Sequence, residues 1–397
     1  MKTDAALLNS IHDCHILIAD DSRVNREVLL AYLNHAGWYN IACVEDGQQA
    51  LDYIDKNDVD IILLDLSMPV IDGYEVCASI RSDPRHYRMP VIVQTGFTGQ
   101  DERRRAFLSG ATDFVIKPVF REELLARVRL QLENRLLMQR LERYHDRLSS
   151  ELDTARQMQA RLVPDLTQTE LALSGLPLQM ASHYRPVTEL GGDIWGLRRL
   201  SPERLAFYAA DFSGHGVAPA IHTFKLSTFI NRLPKRVADQ PGATLSAVAE
   251  EFAPGFTQGQ HLAIFYGVYD SVAETVMYSA VGMPSPLLLN QEHGDDVSLV
   301  DTSGVPIGLN GRSTSSPPYQ EHTLKFAPGA QLLLYSDGLL DGTTTPERLA
   351  ASLRESDLPG PNAIIGQTLA ASQIGSRNPN ASTDDDVTVL ALSRLSA

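Results

Sequence analysis

Five residues in the N-terminal part of the chain could carry out one reaction together: Asp20, Asp21, Asp65, Thr95 and Lys117. An acidic pair and a third carboxylate supply oxygen ligands suited to Mg²⁺, which keeps several waters and bridges to a phosphoryl group. Asp65 would be the nucleophile and phosphoacceptor. Thr95 would hydrogen-bond a phosphoryl oxygen and Lys117 would neutralise its charge, electrostatic help of the kind that dominates phosphoryl transfer.

A second set lies in the C-terminal half: GGDIWG around Asp193, ADFSGHG around Asp211, YSDGLLD around Asp337 and DDDVTVL around Asp385. Any one of these carboxylates alone reads as a turn residue or a helix cap. Four together, with Gly214 and Gly338 permitting close backbone approach, point to a metal cluster. Two hard cations bridged by Asp211 would polarise a phosphoryl oxygen and lower the pKa of a bound water, so no covalent phosphoenzyme is needed. His215, in the same turn as Asp211, could protonate a leaving seryl oxygen, or could be a histidine satisfied by loop carbonyls.

These residues need elements to hold them. Residues 15–118 alternate the apolar runs HILIAD, IACVED, IILLDL, PVIVQT and DFVIKP with stretches of helical period. Five strands joined by helices imply right-handed crossovers and an α/β doubly wound five-stranded parallel sheet, with Asp20, Asp21 and Asp65 at its C-terminal strand ends. Residues 121–163 contain neither Gly nor Pro and place Leu130, Leu137, Leu141, Tyr144, Leu148, Leu152 and Ala155 at steps of three, four or seven. This predicts a long coiled-coil linker helix pairing two chains, with the step from Leu148 to Leu152 breaking the strict heptad; a helix packed along its own domains is the alternative. From about residue 175 the runs RLAFYAAD, HLAIFYGVYD, TVMYSAVG, AQLLLYSD and DVTVLALS predict mostly antiparallel strands, interrupted by helices at 216–232, 244–254, 346–356 and 361–373, with a long loop region and a short strand in 291–320. The expected domains are 1–125, a helical linker over 126–165, and an α+β domain over 166–397.

Residues 14–130 closely resemble the receiver domain of two-component response regulators, through the acidic pair, Asp65, Thr95, Lys117 and the turn DLSMPVIDG. Gly96 stands where Ala is common. The resemblance implies that the carbonyl of Ser67 is a further Mg²⁺ ligand, that Phe114 is the aromatic that changes rotamer on activation, and that a cognate histidine kinase is a partner. Residues 156–397 resemble the PP2C-like serine/threonine phosphatases of bacterial stress and sporulation signalling, through the four acidic motifs, ARQMQARLVPD, and GVPIGL at 304–309. This second resemblance implies a β-sandwich flanked by helices and two Mn²⁺ or Mg²⁺ ions. Asp193, Asp211, Asp337 and Asp385 would hold the metals or metal-bound water, joined by the carbonyl of Phe212. Two positions depart from the pattern: Gly196 replaces the second Asp of GGDxxD, which is expected to weaken metal occupancy, and Met283 replaces the His of a Gly-His pair. GGDIW is also superficially similar to the GGDEF signature of diguanylate cyclases, but Ile194 and Trp195 break it.

Composition narrows the classes further. The net charge of −15 divides as −6 over residues 1–130, 0 over 131–165 and −9 over 166–397, so neither large segment has the basic footprint that DNA requires. No apolar run approaches the ~18 residues of a membrane span, and the N-terminus lacks a signal-peptide pattern, so a cytoplasmic protein is expected. Cys14, Cys43 and Cys77 have no metal-ligand spacing and are expected to be small buried hydrophobes. The expected function is a response regulator controlling a metal-dependent Ser/Thr phosphatase that acts on a phosphorylated anti-sigma-factor antagonist. The alternative is an adaptor that binds a sigma factor for proteolysis through a degenerate phosphatase-like domain.

Overall fold

The computed structural model describes residues 11–96, 100–187, 190–214, 216–290, 296–302, 304–309, 319–340, 344–354, 358, 360–372 and 385–396. The chain separates into two compact units, Met1–Leu148 and Ser149–Ala397, and the division falls inside the expected linker.

In the first unit, strands β1 (Ile16–Ala19), β2 (Ile41–Val44), β3 (Ile61–Asp65), β4 (Val91–Thr95) and β5 (Asp113–Ile116) form one sheet in the order β2-β1-β3-β4-β5. All of its pairings are parallel, as the crossover pattern predicts. Helices α1 (Arg23–His35), α2 (Gly47–Lys56), α3 (Gly73–Ser82), α4 (Gln100–Leu108) and the start of α5 (Arg121–Ala160) cover its two faces. Ala50, Ile54, Val76, Cys77, Ile80 and Ala106 pack on one face. Leu29, Leu33, Leu124, Val128 and Leu132 pack on the other. Helix α1 starts where it does because Ser22 caps it, its side chain accepting from the Asn25 N–H. Cys14 and Cys77 are buried as expected, but Cys43 is exposed: β2 is an edge strand, and its alternate positions face water.

Helix α5 begins at Arg121 as read from the sequence. It uses two different faces: Leu124, Val128 and Leu132 are fully buried, whereas Leu130, Leu137, Leu141, Tyr144 and Leu148 are exposed. Arg135 ties the helix to Asp60 across 3.3 Å, and Arg88 pairs with Glu142.

The second unit is a four-layer stack. One sheet has the order β13-β10-β9-β8-β7, from β7 (Asp193–Arg199), β8 (Arg204–Phe212), β9 (Leu262–Asp270), β10 (Thr275–Val281) and β13 (His322–Lys325). The other has the order β12-β11-β14-β15-β6, from β6 (Leu178–Arg185), β11 (Leu287–Asn290), β12 (Asp296–Leu299), β14 (Gln331–Tyr335) and β15 (Val387–Arg394). Between the sheets lies a core of Trp195, Phe207, Phe265 and Tyr278 against Leu332, Leu334, Leu390 and Leu392. Outside the first sheet, α7 (Val217–Arg232) and α9 (Pro241–Phe252) bury Leu226, Ile230, Leu245 and Val248, with α8 (Lys235–Ala238) between them. Outside the second, α10 (Pro346–Arg354) and α11 (Pro361–Ala371) bury Leu349, Leu353 and Ile364. A short helix, α6 (Leu166–Leu173), precedes β6. The predicted strands match β8, β9, β10, β14 and β15. Those not anticipated, β6, β7, β11 and β13, are short or carry charged and polar residues on one face, which weakens the apolar signal. Most of the expected loop region 291–320 lies outside the described residues, although β12 falls in it. Among the described residues no helix is long and apolar enough to cross a membrane.

The two faces of α5 make different stability predictions. Leu132→Ala should destabilise the first unit by about 2–5 kcal/mol, while Leu141→Ala should change it by less than about 0.5 kcal/mol. Urea unfolding followed at low protein concentration checks this; equal effects would contradict the assignment of faces.

Candidate functional site

The parallel register places the first site. Ala19 pairs with Leu64, so Asp20 and Asp65 emerge side by side at the ends of β1 and β3. Thr95, buried, ends β4 opposite Ile116, and its carbonyl accepts from the Lys117 N–H at 2.8 Å. The Lys117 ammonium then reaches back to both carboxylates, donating to Asp65 Oδ2 at 2.7 Å and to Asp20 Oδ2 at 2.9 Å. Asp20 is held further by the Ser22 N–H and the Asn25 amide, and the Ser67 N–H donates to Asp65 Oδ1 at 3.3 Å. Carboxylate oxygens of Asp20, Asp21 and Asp65 lie within 4.8 Å of one another. Burial lifts the Asp65 carboxyl above its usual range, against the hydrogen bond from Lys117. Burial also works against the Lys117 ammonium, but its bonds to Asp65 and Asp20 hold its pKa above the ordinary lysine value. Two buried carboxylates and the exposed Asp21 beside one ammonium leave an excess of negative charge, and an all-oxygen donor set with that excess fits Mg²⁺.

The second site is built from both sheets. Asp193, at the start of β7, pairs with Asp211 near the end of β8. Asp337 lies two residues past the end of β14, in a short 3₁₀ turn (Asp337–Leu339) that begins after Ser336, and Asp385 and Asp386 lead into β15, the neighbour of β14. Gly338 permits that approach, since a Cβ there would collide with the Asp386 carbonyl. Gly214 serves its turn differently, through a backbone φ of 85°. The Phe212 carbonyl lies against Gly192, whose own carbonyl accepts from the Phe212 N–H at 3.1 Å. His215 lies outside the described residues.

The charge balance here is more extreme than in the first site. Asp193 is fully buried, its Oδ2 has no hydrogen-bond partner, and burial together with Asp211 raises its carboxyl well above the usual range. Burial, then Asp337, Asp385 and Asp386, push Asp211 up to about 7. Asp337 is raised by burial and then by Asp385. Asp386 is raised by burial despite the N–H groups of Val187 and Gly192 that it accepts from. An orphaned buried carboxylate oxygen in a crowd of carboxylates fits hard divalent cations. Among the described residues, only Asp20, Asp21 and Asp65 close to 4.8 Å; this second set is more widely spaced.

Several residues around this site escaped the sequence reading. Asp386 accepts from Val187 N at 2.8 Å and Gly192 N at 2.6 Å, bracing the segment that leads to Asp193. In the run DDDV, spacing alone could not distinguish this residue from its neighbour Asp385. His261 is joined to the turn after Asp211 by two bonds, Ser213 N to His261 O at 3.0 Å and His261 N to Ser213 Oγ at 2.9 Å. Gly196 corrects an expectation. It shares the α7-facing side of β7 with Ile194, whereas Asp193 shares the other side with Trp195, and a Cβ at Gly196 would meet the Tyr208 ring at 2.6 Å. Its identity therefore reflects packing against Tyr208 rather than a weakened metal ligand. Met283 is likewise buried, in the core between the sheets.

The model for the response regulator receiver domain matches residues 16–129, and that for stage II sporulation protein E (SpoIIE) matches residues 201–395. HprR, a transcriptional regulatory protein of Escherichia coli, is 33% identical over 183 residues, 46% of this chain and 79% of HprR. The chain belongs to the response regulators. The response regulator PleD of Caulobacter vibrioides is 37% identical over 126 residues, 32% of this chain and 28% of PleD. The chain spans less than half the length, 41% and 28%, of the first curated relatives it matches. The solved SiaA-PP2C domain of Pseudomonas aeruginosa overlays with a TM-score of 0.51 at 19% identity, covering 63% of this chain and 98% of that domain. This response regulator thus pairs a receiver domain with a SpoIIE-type domain of PP2C-like fold.

Two predictions follow from the second site. Its raised carboxyls bind protons in the folded chain that the unfolded chain has released, so the penalty is absent below pH ~4 and grows as pH rises toward about 7. In chelator, the melting temperature of the second unit should fall between pH 5 and about 7, and added Mn²⁺ should remove the slope; a rising or flat profile in chelator would contradict the charge balance. Gly196→Asp should cost about 2 kcal/mol or more through Tyr208 and a buried carboxylate, without strengthening Mn²⁺ binding in a calorimetric titration.

Proposed function

We propose that Asp65 accepts a phosphoryl group from a cognate histidine kinase and thereby controls the second domain, a metal-dependent phosphatase acting on phosphoserine or phosphothreonine of a partner protein in the cytoplasm. By similarity to stress and sporulation phosphatases, that partner is a phosphorylated anti-sigma-factor antagonist. The observation that carries the reading is the facing pair Asp193 and Asp211, with Asp337 and Asp385 from the opposite sheet close enough to raise Asp211 further.

In the receiver, an Asp65 oxygen forms the bond to phosphorus as the bond to the donor breaks. Lys117 already spans Asp65 and Asp20, so its ammonium can follow the charge onto the phosphoryl oxygens, where the Thr95 hydroxyl would donate a hydrogen bond. Asp20, Asp21, Asp65 and the Ser67 carbonyl would hold Mg²⁺. In the second domain, Asp193, Asp211, Asp337, Asp385 and the Phe212 carbonyl would hold two Mn²⁺ or Mg²⁺ ions or their waters, and His215 would protonate the leaving seryl oxygen as the phosphorus–oxygen bond breaks. Bound divalent cations supply charge neutralisation at phosphoryl oxygens in both domains and an acidified water in the second. Domain limits of 1–125, 126–165 and 166–397 belong to this reading, as does a homodimer formed by the exposed α5 seam. The sigma-factor adaptor draws on Gly196 and Met283, both accounted for by packing, so no observation here favours it.

Acetyl phosphate should label the parent chain but not Asp65→Asn; equal labelling would overturn the phosphoacceptor. Asp211→Asn should lower Mn²⁺-dependent hydrolysis of a phosphoserine protein by ~10²-fold or more while the circular dichroism spectrum is kept. A parent that neither hydrolyses nor binds Mn²⁺ in its second domain would overturn the phosphatase reading. Leu137→Glu combined with Leu141→Glu should convert a sedimenting dimer to monomer.

A further inference from the structure

Antiparallel pairing of β8 with β9 sets Asp211 opposite Ala263 and Phe212 opposite Leu262. The same register runs one pair further: the Ser213 N–H donates to the His261 carbonyl at 3.0 Å, and the His261 N–H donates to Ser213 Oγ at 2.9 Å. Residues two apart in extended chain share a face, so His261 lies on the side of Ala263 and Asp211. That side is the one between the sheets, where Ala263 packs with Trp195 and Phe265 and where Asp193 also stands. Leu262 and Phe212 belong to the opposite side, under α7 and α9. His222 is on that outer side too, its ring stacked on Phe212 with centroids 5.3 Å apart, so it does not reach the acidic face.

The His261 ring has one hydrogen-bond partner among the described residues, the Gly259 carbonyl, 3.2 Å from Nδ1. A carbonyl only accepts, so Nδ1 carries the proton of the neutral ring and Nε2 keeps a lone pair. Burial and Asp385 raise Asp337, and a charge on the His261 ring works the other way, so the imidazole lies within electrostatic reach of a carboxylate from the other sheet. Metal-ligating histidines commonly show this arrangement, one ring nitrogen donating to a backbone carbonyl and the other left for the ion. The ligand atoms of the acidic set stand farther apart than those of the receiver, so a cation has to draw its donors inward. The turn that carries His261 can follow, since Thr257, Gln258 and Gly259 are exposed and the turn is closed by bonds between Thr257 and Gln260.

We propose that His261 is a nitrogen donor of the acidic site, its Nε2 joining Asp211 and Asp337 around one divalent cation. The proposal rests on the reading that these carboxylates hold metal, and it adds which metals they favour. Mg²⁺ is held by oxygen ligands and water, whereas imidazole suits transition metals. A set of carboxylates with one imidazole is therefore biased toward first-row transition ions over Mg²⁺, in contrast to the all-oxygen set of the receiver.

The test uses the full chain carrying Asp21→Asn, which weakens the receiver cluster, loaded with Mn²⁺ alone. Pulsed electron paramagnetic resonance of this parent should show ¹⁴N modulation from a coordinated imidazole. His261→Gln should lose the modulation and bind Mn²⁺ about 10- to 100-fold more weakly, with Mg²⁺ affinity changed by less than about 3-fold. His322→Gln, which removes a ring stacked on Tyr278, should leave the modulation and both affinities as they are. A second readout needs no variant: in ¹⁵N spectra of the parent, His261 Nε2 should be the unprotonated ring nitrogen and should broaden before the His322 ring as Mn²⁺ is added. Bound Mn²⁺ without nitrogen modulation, modulation that survives His261→Gln, an Nε2–H tautomer, or equal broadening of the two rings would each overturn the proposal and leave the phosphatase reading standing. A second domain that binds no Mn²⁺ would overturn both.

Discussion

Carboxylates withdrawn from water and set beside one another are costly as anions, and both units of this chain are organised around that cost. In the receiver it is partly met by one ammonium, Lys117, which bonds Asp65 and Asp20 at once. In the second domain no such ammonium is found among the described groups, and the charge is borne by raised carboxyl pKa values and by backbone N–H groups directed at Asp386. A site that holds its ligands in this state gains most when a divalent cation arrives, because the cation removes repulsion that the fold has already sustained.

The strands make that arrangement possible. Parallel pairing brings the ends of β1, β3, β4 and β5 to one edge, so residues far apart in sequence emerge together with the spacing of neighbouring strands. The second domain does the same with two antiparallel sheets. One contributes Asp193 and Asp211 as a facing pair, and the other contributes Asp337 and Asp385 where β14 ends and β15 begins. The apolar core between the sheets, with Trp195 and Phe265 against Leu334 and Leu390, holds the two contributions in register. Glycines fill the points of closest approach: Gly338 against the Asp386 backbone, and Gly191 against the side chains of Asp386 and Tyr184.

Departures from a family pattern acquire meaning only in this context. Gly196 in sequence looks like a ligand lost. In the fold it sits on the opposite side of β7 from Asp193, under the ring of Tyr208, where an added Cβ already collides. Likeness to the SiaA-PP2C domain at 19% identity speaks to the fold, and chemistry must be argued from the carboxylates themselves.

Much of this was legible in the residues. Alternation of apolar runs with helical period over 15–118 determined the doubly wound sheet, because crossovers between parallel strands admit one hand and one ligand edge. The absence of Gly and Pro from 121–163 determined a long helix, and its seam residues Leu130, Leu137, Leu141, Tyr144 and Leu148 are exposed. Asp20, Asp21, Asp65, Thr95 and Lys117 could be placed at one edge from the sequence, since each lies at or just beyond the end of a strand. Four acidic motifs marked the second site, but only tertiary structure separated Asp385 from Asp386, placed His261 beside Ser213, turned Gly196 away from the metal ligands and exposed Cys43 on an edge strand. The bond from the Gln159 side-chain amide, on a helix, to the Gly191 carbonyl 32 residues away was equally hidden. Periodicity reports which face of an element meets apolar neighbours. It carries no record of which backbone N–H a buried polar side chain will meet, because that is settled only when the elements have packed.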